Sequence, residues 1–513
     1  MSRRMNSREF AADRQISTDR VLQNFAADFD FHEKPLRKAN EYYYDTFDWR
    51  LYNQGYLLKR VGKYFYLSST EGELLFKEAG VAGKHFFTWD LNEGPLRQKV
   101  ESAAGIRALI EILFLKKSSL QINFLNKDRK TVVRLFHEHV QAGNGAEGED
   151  VSPVLRIVRM RGYEKDFCKA VRIAEQKDFQ ELTNGQTFFQ RGLTAIGRQA
   201  GDYSSKFEIF LEQDITIGQA LNRIGLNLIE TMDRVYSGVL QDIDSEFLHD
   251  FRVASRRMRS FLSQFKKSFP ADKIAFFQTE LKWLGAMTGP VRDLDVYLLM
   301  KEEFKVMLPG DLHPGLEEFF IDLQTMRVEK FEEMKQGLSS QRYYDWNAKW
   351  KSFLQMNGDP VPAQNDEQLC RPLALKKIRK CFKKILKDGR RINQHSPDEE
   401  LHRLRIQGKK LRYLIEFFRS FFDDEEIEYF RKQLKKLQNN LGDFNDISVQ
   451  LEMLAQSRQD LPRSKRSIAI AAAIGGLVTH LNAKQEEVRE DFTDVFAVFA
   501  SDENIERFYS VLR

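Results

Sequence analysis

Two segments of the chain carry basic side chains in the same order, and their chemistry suits the binding of phosphate groups. The first reads HDFRVASRRMRSFLSQF from His249, and the second reads HRLRIQGKKLRYLIEFF from His402. An arginine can donate two parallel hydrogen bonds to phosphate oxygens, whereas a lysine acts as a mobile point charge. A neutral histidine donates one hydrogen bond and gains a charge when it is protonated beside an anion. The candidate anion-binding residues are therefore His249, Arg252, Arg256, Arg257 and Arg259 in the first segment and His402, Arg405, Lys409, Lys410 and Arg412 in the second.

These segments belong to a longer internal repeat. LKWLGAMTGPVRDLDV from Leu281 matches LKKLQNNLGDFNDISV from Leu434, at the same offset of 153 residues that separates His249 from His402. A constant offset at two separate matches indicates a duplicated unit of several helices. We place the first copy at about residues 215–355 and the second at about 373–513, with the Pro-containing segment 356–366 between them. Two equal copies commonly pack about a pseudo-twofold axis.

Each basic segment predicts an amphipathic helix. On a helical wheel of about 100° per residue, the cations of a segment share one face and its apolar residues share the opposite face. Like charges at this spacing repel by about 0.2–0.5 kcal/mol per pair, a cost that a bound anion would offset. The alternative is a solvated face whose cations pair with acids on neighbouring helices. Asp293 and Asp446 each follow a glycine, where an acid can cap a helix or hold a neighbouring arginine.

A third basic segment, LKKIRKCFKKILKDGRR, occupies residues 375–391 near the start of the second copy. Its counterpart around residues 220–240 in the first copy is poor in cations. The second copy is therefore expected to contribute more of the positive potential. This segment adds to the candidate anion-binding residues Lys376, Lys377, Arg379, Lys380, Lys383 and Lys384.

The overall composition limits the class of protein. The 513 residues contain 80 Lys plus Arg against 75 Asp plus Glu, a net charge of +5, so a basic site must come from clustering. The three cysteines have no metal-ligand spacing and suggest no disulfide framework. The first residues are polar, and the longest apolar stretch, residues 468–478, is too short to span a bilayer. We therefore expect a cytoplasmic protein that does not contact a membrane.

The character of the sequence changes near residue 205. Before it, segments 56–67, 119–140 and 154–164 are rich in β-branched and aromatic residues, and NKDRK (126–130) is typical of a hairpin turn. After residue 215, apolar residues recur at three- and four-residue spacing over long runs. We predict an α+β chain with a mainly antiparallel β-rich domain at residues 1–205 and an all-helical domain at residues 215–513.

The repeated pattern of His-x-x-Arg, paired cations and Arg, followed by LGAMTGPVRDLDV or LQNNLGDFNDISV, resembles the CHAD family, the conserved histidine α-helical domain. The resemblance covers roughly residues 215–510. It implies two four-helix bundles related by pseudo-twofold symmetry, with a basic groove or pore that binds inorganic polyphosphate. It also implies that the protein can associate with polyphosphate granules. By motif match, the ten candidates of the two repeated segments carry over as polyphosphate-binding residues.

The segment YYYDTFDWRLYNQGYLLKR (42–60) resembles the CYTH family, whose domains often precede CHAD domains. That resemblance implies an antiparallel β-barrel with a tunnel for triphosphate-like substrates, in which active members bind metal through a Glu-x-Glu-x-Lys strand. The first candidate strand, in residues 7–17, contains Glu9 but not this motif. We therefore expect a degenerate CYTH-like domain with no catalytic residue, metal ligand or cofactor. Cations such as Lys59 and Arg156 could still line a tunnel that holds a phosphate chain without cleaving it.

Three functions stay open from the sequence. The first is polyphosphate binding. The second is a metal-dependent triphosphate or polyphosphate hydrolase of the CYTH type, which phosphate release from tripolyphosphate with magnesium or manganese would reveal. The third is non-specific nucleic-acid binding, because phosphate contacts alone give sequence-independent affinity. Few aromatic residues are interleaved with the basic faces, whereas a surface that stacks single-stranded bases needs several. The sequence does not indicate an oligomeric state.

Overall fold

The computed structural model describes residues 7–13, 16–80, 83–143, 148–177, 179–182, 188–355, 368–459 and 461–512. The predicted divider between the two copies, residues 356–366, lies outside them. The chain divides into two compact units, one that ends at Ser205 and one that begins at Lys206. The first unit is built on an antiparallel sheet and the second is helical.

The sheet unit confirms the β-rich segments that alternation and turn residues predict. Residues 126–130 form the turn between two long strands, with the Lys130 carbonyl accepting from the Asn126 amide at 3.0 Å. Its strands are β1 (Ser7–Ala11), β2 (Asp30–Glu33), β3 (Arg37–Asp45), β4 (Tyr56–Val61), β5 (Tyr64–Ser69), β6 (Leu74–Ala79), β7 (His85–Phe86), β8 (Leu109–Leu125), β9 (Thr131–Ala142), β10 (Glu149–Arg159) and β11 (Gln180–Glu181). Its helices are α1 (Thr18–Gln23), α2 (Arg50–Asn53), α3 (Pro95–Ala104), α4 (Glu164–Gln176) and α5 (Phe188–Ala195).

The expected barrel is wrong, because the sheet is open. The strand order is β11-β1-β10-β9-β8-β3-β4-β5-β6, with β2 and β7 also paired to β8, so the two end strands of this path do not meet. Closure would require those ends to hydrogen-bond to each other. Helix α5 also packs on the face of β8 that carries Lys117, where Gly192 lies directly against Leu113 and Leu115. A helix therefore covers part of the face that a tunnel would leave open.

Ion pairs fill much of the same polar face. Lys59 Nζ lies 3.0 Å from Glu41 Oε2, and Lys117 Nζ lies 3.0 Å from Glu138 Oε1. Arg156 also contacts Glu138, at 3.3 Å. The cations that the sequence suggested for a phosphate tunnel thus include two, Lys59 and Arg156, that are held by carboxylates of their own sheet.

The helical unit confirms the all-helical prediction, and its helices start at repeated intervals. The starts at residues 217, 245 and 271 are followed by starts at residues 370, 398 and 424, each 153 residues later. The first six helices are α6 (Ile217–Leu240), α7 (Ser245–Phe265), α8 (Ala271–Leu299), α9 (Lys301–Met307), α10 (His313–Leu338) and α11 (Gln341–Gln355). The remaining five are α12 (Cys370–Gly389), α13 (Asp398–Phe417), α14 (Asp424–Gln459), α15 (Lys465–Phe499) and α16 (Asp502–Val511).

One hydrophobic core is shared by the two copies. Leu294, Leu316 and Phe319 from the first copy lie in the same buried cluster as Ile447 and Ile474 from the second. Gly315 of α10 allows this close packing, since a Cβ there would overlap the carbonyl group of Ala469 in α15. Burial of large apolar side chains contributes roughly 2 kcal/mol each, so this cluster holds the two copies together.

The longest apolar stretch of the sequence, residues 468–478, lies within α15. Its Ile470, Ile474 and Leu477 are buried in the shared core. Across the described ranges, none of the helices combines the length and the apolar character needed to cross a bilayer.

Candidate functional site

Helix α7 presents the first basic segment as the wheel predicts. The helix begins after Asp244, whose carboxylate accepts hydrogen bonds from the Glu246 and Phe247 amides at 2.9 and 3.1 Å. Its apolar side is fully buried, whereas His249, Arg252, Arg256 and Arg259 lie on the partly or fully exposed side. The buried apolar residues are Phe247, Leu248, Phe251, Ala254, Met258, Phe261, Leu262 and Phe265.

Helix α13 repeats this arrangement for the second basic segment. Three acids, at Asp398, Glu399 and Glu400, occupy its first turn and favour its start because the helix dipole is positive there. Arg405, Lys409 and Arg412 lie on the partly exposed side of the helix. The apolar residues that anchor the other side are Leu401, Leu404, Leu411, Leu414, Ile415 and Phe417.

The basic sides of α7 and α13 meet at one cavity of about 560 Å³, here called the central groove. Six cations from both copies line it, together with His249 and only two carboxylates, those of Asp293 and Asp446. The excess of positive charge makes the groove suitable for an anion with several charges. The six cations are Arg252, Arg256, Arg292, Arg405, Lys409 and Arg412.

Arg252 is fixed against α8. Its Nη1 donates to Thr288 Oγ1 at 2.9 Å and to the Gly285 carbonyl at 3.2 Å. The guanidinium group also lies over Gly289, which has no side chain to hold it away. Burial lowers the pKa of Arg252 to about 10, and the neighbouring Arg256, Arg292 and Arg259 act in the same direction. The group stays charged at neutral pH and is held in place before any ligand arrives.

Arg405, the counterpart of Arg252, is held less completely. Its Nη2 lies 3.3 Å from Asp446 Oδ1, and its Nε is buried without an acceptor among the described residues. Burial lowers the pKa of Arg405, whereas Asp446 acts to raise it. A buried donor without an acceptor costs about 1–3 kcal/mol, so a ligand oxygen at this point would restore a missing hydrogen bond.

Lys409 shows how strongly the cations of the groove repel one another. Burial, together with the nearby Arg405, Arg256 and Arg412, lowers its pKa to about 8. Within the described part of the chain, no carboxylate forms an ion pair with either Lys409 or its counterpart Arg256. The groove therefore contains two positive charges that the protein does not neutralise by direct contact.

A second cavity of about 480 Å³ continues from the central groove between α13 and α14, and we call it the side groove. It shares Arg405, Lys409 and Arg412 with the central groove and adds Arg431, Lys432 and Lys435. Arg431 pairs with Glu428 at 2.6 Å, and Glu416 also lines the side groove. Together the two cavities form an extended basic path on the side of the second copy.

Other candidates of the two repeated segments do not line the central groove. Arg257 Nε donates to Glu416 Oε2 at 3.0 Å, a half-buried ion pair that joins α7 to α13. Its counterpart Lys410 is exposed. Arg259 is exposed and lies close to Gly285. His402 is exposed, with its Nδ1 at 2.8 Å from Asn445 Oδ1.

The candidates of residues 375–391 lie on α12, outside both grooves. Four of them line a separate hollow of about 650 Å³: Lys376, Arg379, Lys380 and Lys383. Lys377 is half-buried and donates to the Gln264 carbonyl, with its ammonium 4.8 Å from the centre of the Phe265 ring. Arg379 donates to the Leu512 carbonyl, and Lys384 is exposed.

Helices α8 and α14 supply groove residues that the sequence did not single out as ligands. Arg292 and Asn445 are counterparts at the offset of 153, and both line the central groove. Tyr297 closes one side by donating to the Val449 carbonyl at 3.2 Å. The second match of the repeat was the signal that pointed to this region.

Asp293 and Asp446 do not cap helix starts, one of the two roles that the sequence suggested, because both lie inside long helices. Both nevertheless face arginines. Burial raises the pKa of Asp293 and Arg252 acts to lower it, while Asp446 contacts Arg405. Among the described residues, no group of three or more His, Cys, Asp or Glu side chains is placed to hold a metal ion.

The helical unit is similar in sequence to known proteins. A family model of the CHAD domain matches residues 224–455. Two uncharacterized proteins of Mycobacterium tuberculosis, from strains CDC 1551 and H37Rv, are each 25% identical over 211 residues, which cover 41% of this chain and 40% of theirs. The match therefore spans less than half the length of these curated relatives.

Two solved structures are also similar to this chain. The CHAD domain from the plant Ricinus communis is 25% identical, with a TM-score of 0.49, and the alignment covers 57% of this chain and 94% of that domain. PptA from Streptomyces chartreusis is 18% identical, with a TM-score of 0.44, and the alignment covers 55% of this chain and 99% of PptA.

Proposed function

We propose that residues 224–455, which match a family model of the CHAD domain, bind inorganic polyphosphate in the central groove. The CHAD family is linked to polyphosphate binding. The observation that carries the proposal is the convergence of six cations from both copies on one cavity with two carboxylates. A linear polyphosphate has no base edges to be recognised, so it needs closely spaced donors and positive charge, which this cavity supplies.

The electrostatics of the free groove favour an anion with several charges. Lys409 and Arg252 have lowered pKa values because they are buried and lie among other cations. A bound polyanion would raise both pKa values, and it would give the Arg405 Nε an acceptor. The side groove extends the basic path, so a chain of phosphates can contact more cations than a single phosphate can. Association with polyphosphate granules in the cytoplasm is part of this proposal.

We also infer that the two copies form two bundles related by a pseudo-twofold axis. Phe265 and Phe418 are counterparts at the offset of 153, and their rings contact each other at 5.7 Å between centroids. Contact of a residue with its own counterpart is the signature of a twofold relation. The groove is lined by further counterpart pairs, among them Arg252 with Arg405, Arg256 with Lys409, and Val296 with Val449.

For the sheet unit, we propose a degenerate CYTH-like domain with an open sheet. The segment that carries the resemblance forms β3, α2 and β4, and Asp45 accepts from the Leu51 and Tyr52 amides at 2.9 and 2.8 Å. Glu41 and Glu138 are engaged by Lys59 and Lys117. Phosphate release from tripolyphosphate with magnesium or manganese would contradict this assignment.

A competition assay tests the polyphosphate proposal. Labelled polyphosphate is bound to the full chain and displaced by duplex DNA, single-stranded RNA and short phosphates at two salt concentrations. We expect unlabelled polyphosphate to compete best at both, and we expect affinity to fall with salt because bound cations are released from the polyanion. Equal or better competition by nucleic acid would overturn the proposal.

Variants locate the binding to the groove. Replacement of Arg252, Arg256, Arg405 and Lys409 by alanine removes four of the six groove cations. We expect this variant to lose at least about a hundredfold in affinity, since each charge-assisted contact contributes about 1.5–3 kcal/mol. Replacement of four exposed lysines elsewhere, at Lys127, Lys273, Lys335 and Lys349, is the matched control. Circular dichroism of both variants establishes that helical content is retained.

A further inference from the structure

The exposed lysines of α12 form a strongly charged surface outside the grooves, here called the α12 lysine face. Its members follow one another at three- and four-residue spacing, so like charges are neighbours along the helix. Within the described residues, no carboxylate forms an ion pair with any of them. The repulsion among them destabilises the helix unless a partner relieves it. The α12 lysine face consists of Lys376, Lys380, Lys383, Lys384 and Lys387.

The equivalent surface of the first copy shows that the fold does not require three of these lysines. At the offset of 153, Lys380, Lys383 and Lys384 correspond to Asn227, Glu230 and Thr231 of α6. The counterpart of Lys376 is Arg223, which pairs with Glu212. The counterpart of Lys387 is Arg234, so three of the five charges, those of Lys380, Lys383 and Lys384, belong to the second copy alone.

The α12 lysine face is distinct from the central groove but connected to it by charge. None of the residues that line the central groove comes from α12. Helix α12 contacts α13 where Cys381 Sγ donates to the Gln407 carbonyl at 3.6 Å, and both Lys410 and Lys384 act to lower the pKa of this thiol, which burial raises. Lys410 directly follows the groove residue Lys409 in α13. Positive charge thus continues from the groove across α13 to α12.

The chemistry of this surface suits a flexible polyanion better than a compact ligand. Its charges are lysine ammonium groups on mobile stems, which attract phosphate without fixing its geometry. The hollow on α12 is lined by Pro372 and Leu375 in addition to its cations and offers no aromatic ring for base stacking. A long chain of phosphates needs neither fixed geometry nor stacking.

We propose that the α12 lysine face captures the part of a long polyphosphate chain that extends beyond the grooves. This inference rests on the proposed function of the central groove. Chains short enough to lie within the grooves do not use the α12 lysine face. Because its lysines are exposed and mobile, they act through long-range electrostatic attraction. They therefore increase the association rate and its salt dependence more than they slow dissociation.

The experiment compares two matched variants with two ligands. The triple variant Lys376→Gln, Lys380→Gln, Lys383→Gln removes three charges from α12. The control variant Lys273→Gln, Lys335→Gln, Lys349→Gln removes three exposed lysines of the first copy. Association and dissociation rates are measured for tripolyphosphate and for a long polyphosphate fraction, at low and at physiological salt, and the melting temperature of each variant is recorded.

For the α12 variant we expect the association rate of the long chain to fall about fivefold at low salt, with a shallower salt dependence. We expect tripolyphosphate binding to match that of the wild type, and the control variant to match it with both ligands. The melting temperature should not fall, because the substitutions remove repulsion from the helix.

Two outcomes would overturn the inference without affecting the proposed function. In the first, the α12 variant binds the long chain at the same association rate as the wild type. In the second, its association rate falls as much for tripolyphosphate as for the long chain. If the α12 substitutions weakened the binding of duplex DNA more than the binding of long-chain polyphosphate, the surface would be assigned to nucleic acid. That result would also overturn the inference. If the wild-type protein bound neither polyphosphate, the proposed function itself would fail.

Discussion

The two copies of the repeat build the same basic face but hold it differently. In the first copy, Arg252 donates two hydrogen bonds to α8 and Arg257 is engaged by Glu416. In the second copy, Arg405 keeps a buried Nε without an acceptor in the described structure, and Lys410 is exposed. The first copy therefore uses its cations partly for structure, whereas the second leaves more donors available to a ligand. A duplicated site can divide support and binding between its halves.

The largest expected difference is between Arg405→Ala and Arg252→Ala. We expect Arg405→Ala to lower polyphosphate affinity at least about tenfold with little change in stability, because its side chain has few internal contacts to lose. Arg252→Ala should lower both affinity and stability, the latter by about 1 kcal/mol, because contacts with Thr288 and Gly285 are lost. Calorimetric titration and thermal unfolding of both variants test this. Equal stability of the two variants would contradict the division of roles.

A second pair of counterparts compares stability alone. Arg257→Ala should reduce the free energy of unfolding by about 2 kcal/mol, because Glu416 would remain half-buried with only the weaker Arg412 contact at 3.3 Å. Lys410→Ala, at the equivalent exposed position, should change it by less than about 0.5 kcal/mol. Urea unfolding at neutral pH measures both. A large loss for Lys410→Ala would show that the two copies are supported alike.

The smallest effect at neutral pH concerns Lys409, whose counterpart is Arg256. The pKa of Lys409 is about 8 in the free groove, and a bound anion would raise it. The affinity for polyphosphate should therefore be highest below pH 8, where Lys409 is protonated. It should decrease as the pH rises through the free-state pKa, by up to about tenfold per pH unit. Lys409→Arg should retain affinity to higher pH, because arginine stays protonated. Identical pH profiles for the two proteins, measured from pH 6 to pH 10, would exclude Lys409 as the titrating group.

The repeated helices and their basic faces could be predicted from the sequence because they depend on local periodicity. The spacing of Phe251, Met258 and Phe261 specifies which side of α7 is buried, and the constant offset transfers that orientation to α13. The composition of the groove could be predicted only in part. In the sequence, Arg257 cannot be distinguished from the neighbouring basic residues of its segment. Only the structure shows that Glu416 of α13 pairs with it, so that it joins two helices.

The features that the sequence does not specify share a dependence on long-range packing. The lysines of α12 are basic in the sequence, but only the arrangement of helices shows that they lie outside the central groove. Closure of the sheet depends on whether β6 meets β11, and the sequence of neither strand specifies this. Gly192, which allows α5 to lie against Leu113 and Leu115, had no recognisable signal in the sequence.

The core shared by Leu294, Leu316, Ile447 and Ile474 has a consequence for the evolution and engineering of this domain. An ancestral single copy would have exposed half of this apolar surface, so it would have needed an identical partner chain before the gene was duplicated. Within a single chain, the association of the two copies does not depend on protein concentration. Fusion also freed each half to diverge, which is how one copy could acquire charges that the other lacks.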